Sequence, residues 1–288
     1  MKKILVTGSK GQLGSEIRKL EKVYPGFNFT YTDIEELDIT KPGEVEAFFT
    51  QNQIDICINC AAHNGVDKAV DEPSFAFLLN TDAVENLAIN CNKHNTLLVH
   101  FSTDYVFEGN NCLPYRETDL AIPQTVYGLS KLQGEEAAMK NSERAIVIRT
   151  SWLYSIYNHN FVKTILRLLS EKEQITVVND QIGTPTFAGD LAKAILEILT
   201  KIEHKPVKEI YHYSNEGVAS WYDFAVAIKE FSGLNCKVLP VETNQFPTKA
   251  IRPHYSVLNK TKIKTDFGIE IPYWRDSLKL VINELLTK

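Results

Sequence analysis

Near its start the chain reads Ile4-Leu5-Val6-Thr7-Gly8-Ser9-Lys10-Gly11-Gln12-Leu13-Gly14. The three leading apolar residues predict a buried strand, and the pattern from Gln12 to Glu21 predicts a helix. Glycines in the turn between them let the backbone bend tightly and approach a pyrophosphate, which then lies against the unpaired N–H groups of the helix. With Asp33 about twenty residues further on, the stretch predicts a dinucleotide site. A purely structural turn is the alternative.

Strands and helices alternate from this turn to Thr150. Apolar runs predict further strands at 27–32, 55–59, 96–102 and 145–150, and helical patterns lie at 42–51, 74–94 and 126–141. Strands that read as continuous apolar runs between helices favour a parallel sheet covered on both faces. The predicted fold class is therefore α/β, with a Rossmann-type doubly wound parallel sheet.

After Thr150 the pattern is less regular. Helices are predicted at 161–171, 187–201, 221–231 and 274–286, and strands at 174–178, 209–214 and 238–241. The sequence has no internal repeat, low-complexity tract or linker that would separate two bodies. We therefore expect residues 1–175 to form mainly an NAD(P)-binding domain and residues 176–288 mainly a smaller α/β substrate-binding lobe, interleaved with the first.

Composition excludes several classes of protein. The 288 residues are 44% hydrophobic and 23% charged, values typical of a globular chain, and a net charge of -5 gives no basic patch for nucleic acid. No apolar run approaches the ~18 residues of a membrane span, and Met1-Lys2-Lys3 leads into no export signal, so we expect a cytoplasmic location. The five cysteines form no disulfide framework. Cys57 and Cys60 read as core residues of a strand rather than a redox or zinc pair.

Tyr127 and Lys131 are four residues apart on a predicted helix and share one face. A free tyrosine, with a pKa near ~10, is a poor acid at neutral pH, but a nearby ammonium favours the tyrosinate. We expect Lys131 to lower the pKa of Tyr127 and to hold ribose hydroxyls, while Thr103 hydrogen-bonds the substrate oxygen that Tyr127 protonates. In isolation such a pair more often lies on a solvated helix face. Because this pair follows a glycine loop in the same predicted domain, we favour a role in proton transfer.

Cofactor preference stays open in the sequence. Asp33 at the end of the second strand favours NADH, because a carboxylate repels the 2'-phosphate of NADPH. Lys10 in the glycine loop could pair with that phosphate, although a solvated lysine is equally compatible with its position. Asp38 and Ile39 lie where an adenine could be bound, but an acidic turn residue before a helix is an equally good account.

Five motifs together resemble those of the extended short-chain dehydrogenase/reductases and, among them, the dTDP-4-dehydrorhamnose reductases. They are the glycine loop and residues 59–63, 102–107, 127–131 and 149–152. The resemblance runs nearly end to end, through Asn160-Phe161, residues 179–186, Trp221-Tyr222 and Arg252-Pro253-His254. These later motifs are more specific than the glycines, which many unrelated enzymes share.

The resemblance implies NADPH- or NADH-dependent reduction of the C4 ketone of dTDP-4-dehydro-β-L-rhamnose to dTDP-L-rhamnose, the last step of dTDP-rhamnose synthesis. It implies that Tyr127 is the proton donor, with Lys131 and Thr103 as partners. Thr103, Asp104 and Trp152 are implied to contact the nucleotide sugar. The residues implied to line the cofactor, together with Tyr127 and Lys131, are Gly8, Gly11, Gln12, Leu13, Gly14, Asp33, Asp38, Ile39, Ala61, Ala62, His63, Asn64 and Phe101.

The sequence departs from the family pattern at Asn64-Gly65, where a Thr-Ala pair is expected. Some members dimerise through magnesium, but no matching acidic set can be placed here, so magnesium and the choice between monomer and homodimer stay open. One alternative is another nucleotide-sugar reductase or epimerase; a dehydratase is disfavoured because Tyr105, not Glu, follows Asp104. The other is a non-catalytic regulatory subunit similar to that of methionine adenosyltransferase, against which the intact Thr103, Tyr127 and Lys131 argue.

Overall fold

The computed structural model describes residues 1–202 and 207–287. Its strands in chain order are β1 Lys2–Thr7, β2 Phe27–Tyr31, β3 Ile56–Asn59, β4 Leu97–Thr103, β5 Ala145–Thr150, β6 Leu153–Tyr154, β7 Gln174–Val178, β8 Ile182–Gly183, β9 Thr186–Phe187, β10 Lys208–His212, β11 Ala219–Ser220 and β12 Lys237–Val241. Its helices are α1 Gln12–Leu20, α2 Pro42–Gln51, α3 Val66–Asp71, α4 Pro73–Phe77, α5 Ala83–Lys93, α6 Val126–Asn141, α7 Phe161–Glu171, α8 Ala188–Lys201, α9 Trp221–Ser232, α10 Thr261–Phe267 and α11 Trp274–Leu286.

Six strands form a central parallel sheet in the order β10-β5-β4-β3-β1-β2. The chain begins in β1, moves outward to β2, and then returns to the other side of β1 with β3. Open α/β sheets bind ligands at the carboxyl ends of their strands, next to the point where the strand order reverses. The ends of β1, β3 and β4 therefore mark the position of a site.

Helices cover both faces of this sheet. Successive side chains of a strand point to opposite faces, and here the side chains on both faces are apolar and pack against helices. Ile4 and Val6 of β1 pack in one core with residues of α1 and α8. Leu5, between them, packs in the other core with Val45 of α2 and Leu87 of α5. Burial on both faces explains why β1 and β4 read as continuous apolar runs rather than as alternating strands.

A separate core lies among the helices and short strands of the C-terminal half. Tyr154, Phe224, Trp274 and Leu278 are buried in it, contributed by β6, α9 and α11. Strands β7 and β12 pair in parallel beside these helices. Between them in sequence, α8 packs on α1 and β10 joins the central sheet next to β5. The chain thus leaves the central sheet after β5 and returns to it once before the last three helices.

The predicted α/β class and parallel sheet are confirmed, and the predicted strands and helices are present to within a few residues. The two-residue strands and helices α3 and α10 were not predicted, because such short segments hold too few residues to show a period. The predicted helix at 74–94 is interrupted by a π-helical turn, Leu78–Asp82, between α4 and α5. Among the described residues, no helix combines the length and apolar character that crossing a membrane requires.

Candidate active site

The glycine loop packs tightly against the backbone that follows β3. Gly8 has a φ of 61°, and a Cβ at this position would lie 2.5 Å from the backbone nitrogen of Ala61. A Cβ on Gly14 would lie 2.6 Å from the Ser9 Cα. No side chain of the described residues caps α1, so the N–H groups of Gln12 and its neighbours in the first turn stay available to an anion.

Asp33 holds the glycine loop from the end of β2. Its Oδ2 accepts a hydrogen bond from the backbone N–H of Lys10 at 2.9 Å, and its Oδ1 accepts one from Ile34 N at 3.0 Å. The ammonium of Lys10 makes an exposed ion pair with Glu35 Oε2 at 2.6 Å, and this contact raises the pKa of Lys10. Asp33, which favours NADH, and Lys10, which could favour NADPH, therefore lie next to each other beside the glycine loop. Lys10 is already paired with a carboxylate.

Asp38 and Ile39 use their side chains within the protein. Asp38 Oδ1 accepts hydrogen bonds from the hydroxyl of Thr40 at 2.6 Å and from its backbone N–H at 3.0 Å, and these bonds lower the pKa of Asp38. Ile39 is buried in the core beneath α2. Contact between these two residues and an adenine would therefore fall to their backbone atoms.

The loop after β3 carries Ala61, Ala62, His63 and Asn64 and is fixed by Asn80, which sequence reasoning missed. Asn80 is fully buried in the π-helical turn. Its Oδ1 accepts from His63 N at 2.8 Å, while its Nδ2 donates to His63 O and to Ser130 Oγ, both at 3.0 Å. One carboxamide thus joins the predicted cofactor loop to the residue before Lys131. A single asparagine in a helical pattern has no spacing signature, although π-turns occur often at functional sites.

Helix α6 brings Tyr127 and Lys131 to the carboxyl end of β4. The helix starts after Thr125, whose hydroxyl accepts a hydrogen bond from Gly128 N at 2.9 Å. Gly128 has no Cβ to collide with the backbone carbonyl of Tyr105, so α6 can lie close to the turn after β4. Both Tyr127 and Lys131 are buried, and Lys131 Nζ donates to the backbone carbonyl of Phe101 at 2.5 Å.

Burial controls the acidity of this pair. It raises the pKa of Tyr127 to about 12, against a hydrogen bond with Thr103 that lowers it. It also lowers the pKa of Lys131 to about 8, against the charge of Glu135, which raises it. In the protein alone the net shift of the Tyr127 pKa is upward, and the lowering expected of Lys131 stays a prediction. Loss of hydration disfavours the charged form of both groups and is the largest cause of each shift.

The other predicted substrate residues follow the ends of two neighbouring strands, Asp104 after β4 and Trp152 after β5. The Thr103 hydroxyl donates to Asp104 Oδ1 at 3.0 Å, and burial raises the pKa of the Asp104 carboxyl to about 6. Trp152, just after β5, has a left-handed φ of 47° and stacks on Trp221 of α9 with ring centroids 3.6 Å apart. A Cβ on Gly183 would lie 2.6 Å from the Trp152 indole. Backbone strain of this kind persists where the surroundings enforce it, often at ligand sites.

Polar atoms without partners gather at the same strand ends. Three of these buried atoms have no hydrogen-bond partner within the described part of the chain: Ser102 Oγ on β4, Thr150 Oγ1 on β5 and His63 Nδ1 after β3. Buried polar atoms normally have a partner, so these three fit a polar ligand. With the tight glycine loop and the uncapped α1, the residues at this edge fit a dinucleotide.

Residues 1–202 and 207–287 contain no cluster of side chains suited to binding a metal ion. No group of three or more His, Cys, Asp or Glu side chains there could hold a metal ion. The five cysteines are all free, and Cys57 and Cys60 lie in and just after β3, as the strand interpretation predicts.

Fold and site together define a Rossmann-type protein of the short-chain dehydrogenase/reductase superfamily. The chain belongs to the family described as the RmlD substrate binding domain, whose model matches residues 1–287.

Individual relatives match over their whole length. The spore coat polysaccharide biosynthesis protein SpsK of Bacillus subtilis (strain 168) is 40% identical, over 99% of this chain and 98% of its own. The dTDP-4-dehydrorhamnose reductase of Aggregatibacter actinomycetemcomitans is also 40% identical, over 97% of this chain and 98% of its own. The crystal structure of dTDP-4-dehydrorhamnose reductase from Bacillus anthracis str. Ames in complex with NADP is 35% identical and has a TM-score of 0.92, covering 99% of this chain and 100% of that one.

Proposed function

We propose that this protein reduces the C4 ketone of dTDP-4-dehydro-β-L-rhamnose to dTDP-L-rhamnose with NADPH or NADH, the last step of dTDP-rhamnose synthesis. The observation that carries the proposal is the buried pair Tyr127 and Lys131 on α6, next to Thr103 at the end of β4 and behind the glycine loop. The relative from Aggregatibacter, 40% identical over nearly the full chain, bears the name of this reductase.

The cofactor would lie across the carboxyl ends of β1, β3 and β4. Gly8, Gly11 and Gly14 with Gln12 and Leu13 hold the pyrophosphate at the start of α1. Asp33, Asp38 and Ile39 lie toward the adenosine half, and Ala61 to Asn64 with Phe101 lie toward the nicotinamide half. When bound, the reduced nicotinamide supplies a hydride. The Bacillus anthracis relative was crystallised with NADP, which supports NADPH as one of the two cofactors.

The proton and the substrate are handled by the chain's own side chains. Tyr127 gives its phenolic proton to the developing alkoxide at C4, and its raised pKa keeps that proton in place until then. Thr103 hydrogen-bonds the same oxygen, and Lys131 holds ribose hydroxyls and balances the negative charge as Tyr127 ionises. Asp104 and Trp152 contact the sugar, with Trp152 braced by Trp221.

The remaining features of the proposal concern organisation. Residues 1–175 form mainly the cofactor-binding domain and residues 176–288 mainly the substrate lobe, although β10 lies in the central sheet. The protein works in the cytoplasm as a monomer or homodimer, and magnesium stays open as a ligand of the dimer. Its five free cysteines suit a reducing compartment. Sedimentation with and without magnesium distinguishes the two assemblies.

The direct test mixes the purified protein with NADPH or NADH and the dTDP-ketosugar and follows the loss of nicotinamide absorbance, with dTDP-L-rhamnose identified by chromatography. Oxidation with this substrate, and none with dTDP-glucose, is the expected result. Turnover of a different nucleotide ketosugar would move the proposal to another reductase of the superfamily. Cofactor binding without turnover of any ketosugar would instead point to a regulatory subunit.

A further inference from the structure

A buried ion pair lies one helical turn beyond Lys131. Tyr127, Lys131 and Glu135 follow one another at four-residue spacing on α6, which places them along one face. Arg149 of β5 faces Glu135, with Nε 2.9 Å from Oε1 and 3.1 Å from Oε2, and Nη2 2.7 Å from Oε2. The guanidinium therefore binds the carboxylate in a bidentate manner, through Nε and Nη2.

Stability alone is a poor explanation of this pair. Both side chains are buried, and the Arg149 guanidinium lies over the ring of Phe107 at 5.0 Å. Removing two charges from water is so unfavourable that apolar residues of the same size often stabilise a protein equally well. The pair lies one helical turn from Lys131 on the same face of α6, and Glu135 acts on the charge of Lys131, so we expect the role of the pair to lie there.

Lys131 shares α6 with other charged and titratable groups, and further ones lie on the elements that pack against this helix. They are His100 on β4, Asp104 and Tyr105 in the turn after β4, Tyr127 and Glu135 on α6, Arg149 on β5, and Asp67 of α3, which pairs with Arg252 at 2.6 Å. Burial lowers the pKa of His100 well below its usual range, so that ring is neutral. Glu135 raises the pKa of Lys131, against the effect of burial.

We infer that Glu135 is a positioning residue for the proposed reductase site: held by Arg149, its carboxylate keeps the buried Lys131 ammonium charged and directed at the carboxyl end of β4. The hydrogen bond from Lys131 Nζ to the Phe101 carbonyl gives the direction of the ammonium, because it holds Nζ at that strand end. Arg149 fixes the position of the Glu135 carboxylate in turn, through contacts from Nε and Nη2 to both carboxylate oxygens. The inference rests on the proposed function, because only there does the charge of Lys131 matter for turnover.

Glu135→Gln separates this role from a merely structural one. Without the carboxylate, burial and the Arg149 charge both disfavour the ammonium, so Lys131 loses its proton at lower pH. We expect the alkaline limb of the pH profile of kcat/KM to move down by about one pH unit or more. Around pH 8, where Lys131 is about half protonated, that movement lowers activity roughly fivefold. Glu136→Gln, an exposed neighbour on the same helix, is the matched control and leaves the limb in place.

A second measurement does not depend on activity. Titration of the 13Cε resonance of Lys131 in the cofactor-free protein, assigned by its loss in Lys131→Arg, reports the charge of this side chain directly. A lower midpoint in Glu135→Gln and a parental midpoint in Glu136→Gln and Glu135→Asp support the inference. If the protein proves not to be a reductase, this titration still tests Glu135, so the two proposals fail separately.

Glu135→Gln leaves Arg149 buried without a partner and could unfold the protein. The double variant Glu135→Met with Arg149→Met replaces both charged residues with apolar residues of similar size. A protein core tolerates this double replacement better than the loss of one partner alone. It is expected to fold and to show a midpoint for Lys131 below the parental one but above that of Glu135→Gln, because the repulsion from the Arg149 charge is removed as well. An unchanged midpoint in a folded single or double variant would overturn the inference.

Discussion

Two ion pairs of similar length lie at opposite ends of the proposed cofactor cleft, one buried and one exposed. At the tyrosine end, Arg149 and Glu135 are 2.7 Å apart, with side chains 4% and 2% exposed. At the glycine-loop end, Lys10 and Glu35 are 2.6 Å apart, with side chains 58% and 63% exposed. The distances are alike, but water screens the second pair and not the first. Burial rather than distance therefore decides how strongly a charge acts on its neighbours.

Substitution of the proton donor at the buried end is expected to have the largest effect. Tyr127→Phe keeps the ring and its packing but removes the proton, so turnover should fall roughly a hundredfold to ten-thousandfold. Cofactor affinity, measured by nicotinamide fluorescence, should change little. Tyr24→Phe, outside the site, is the control with parental turnover. Near-parental kcat in the Tyr127→Phe variant would remove Tyr127 from the mechanism.

The next largest effect concerns stability and compares a buried arginine with an exposed one. Arg149→Met leaves the Glu135 carboxylate buried without its partner, which should lower the free energy of unfolding by about 3–5 kcal/mol. Arg167→Met removes an exposed pair with Glu171 of similar length, 2.8 Å, and should change it by less than about 1 kcal/mol. Urea unfolding at pH 7 measures both. Equal effects would contradict the contrast between the two kinds of pair.

The exposed and buried ends also differ in how far the sequence could predict them. The glycine loop, Asp33 and the Tyr127–Lys131 spacing follow from local patterns, and the parallel sheet follows from alternating apolar runs, so these were predictable. Asn80, Trp221 and the pair of Glu135 with Arg149 depend on contacts between segments far apart in the chain. A helix pattern shows that Glu135 shares a face with Lys131, but only the fold shows that β5 places an arginine opposite it.

The pKa of Tyr127 shows the same limit. Sequence reasoning considered the effect expected of a neighbouring ammonium but not the depth of burial, which raises the pKa of Tyr127 to about 12. Burial is a property of the packed structure and has no signature at the level of residue spacing. The sign of the net shift in pKa is therefore set by the fold and not by the residue spacing.

Asp104 gives a pH-dependent prediction of intermediate size. Its pKa is about 6 in the folded protein and near 3.8 in the unfolded chain, so folding keeps a proton that the unfolded chain releases. This carboxyl therefore costs stability as the pH rises through that interval, and the loss is complete above it. Asp104→Asn should gain roughly 2–3 kcal/mol in unfolding free energy relative to the parent between pH 4 and pH 8.

Urea unfolding at the two pH values measures the gain for Asp104→Asn, and Glu35→Gln supplies the exposed control. Hydrogen bonding to Lys10 lowers the pKa of Glu35, the opposite direction. Its substitution should therefore show no gain with rising pH. A difference between Asp104→Asn and the parent that does not vary with pH would mean that folding does not raise the pKa of Asp104.

The smallest effect is expected at the glycine-loop end and concerns cofactor preference. Glu35→Gln releases the Lys10 ammonium, which can then approach the 2'-phosphate of NADPH; the Kd for NADPH should fall roughly two- to fivefold, because exposed pairs are weak. The Kd for NADH, which lacks that phosphate, should stay the same. Lys10→Met should weaken NADPH binding alone, and both effects should fade in high salt. Equal changes in Kd for the two cofactors would show that Lys10 and Glu35 affect the glycine loop and not the 2'-phosphate.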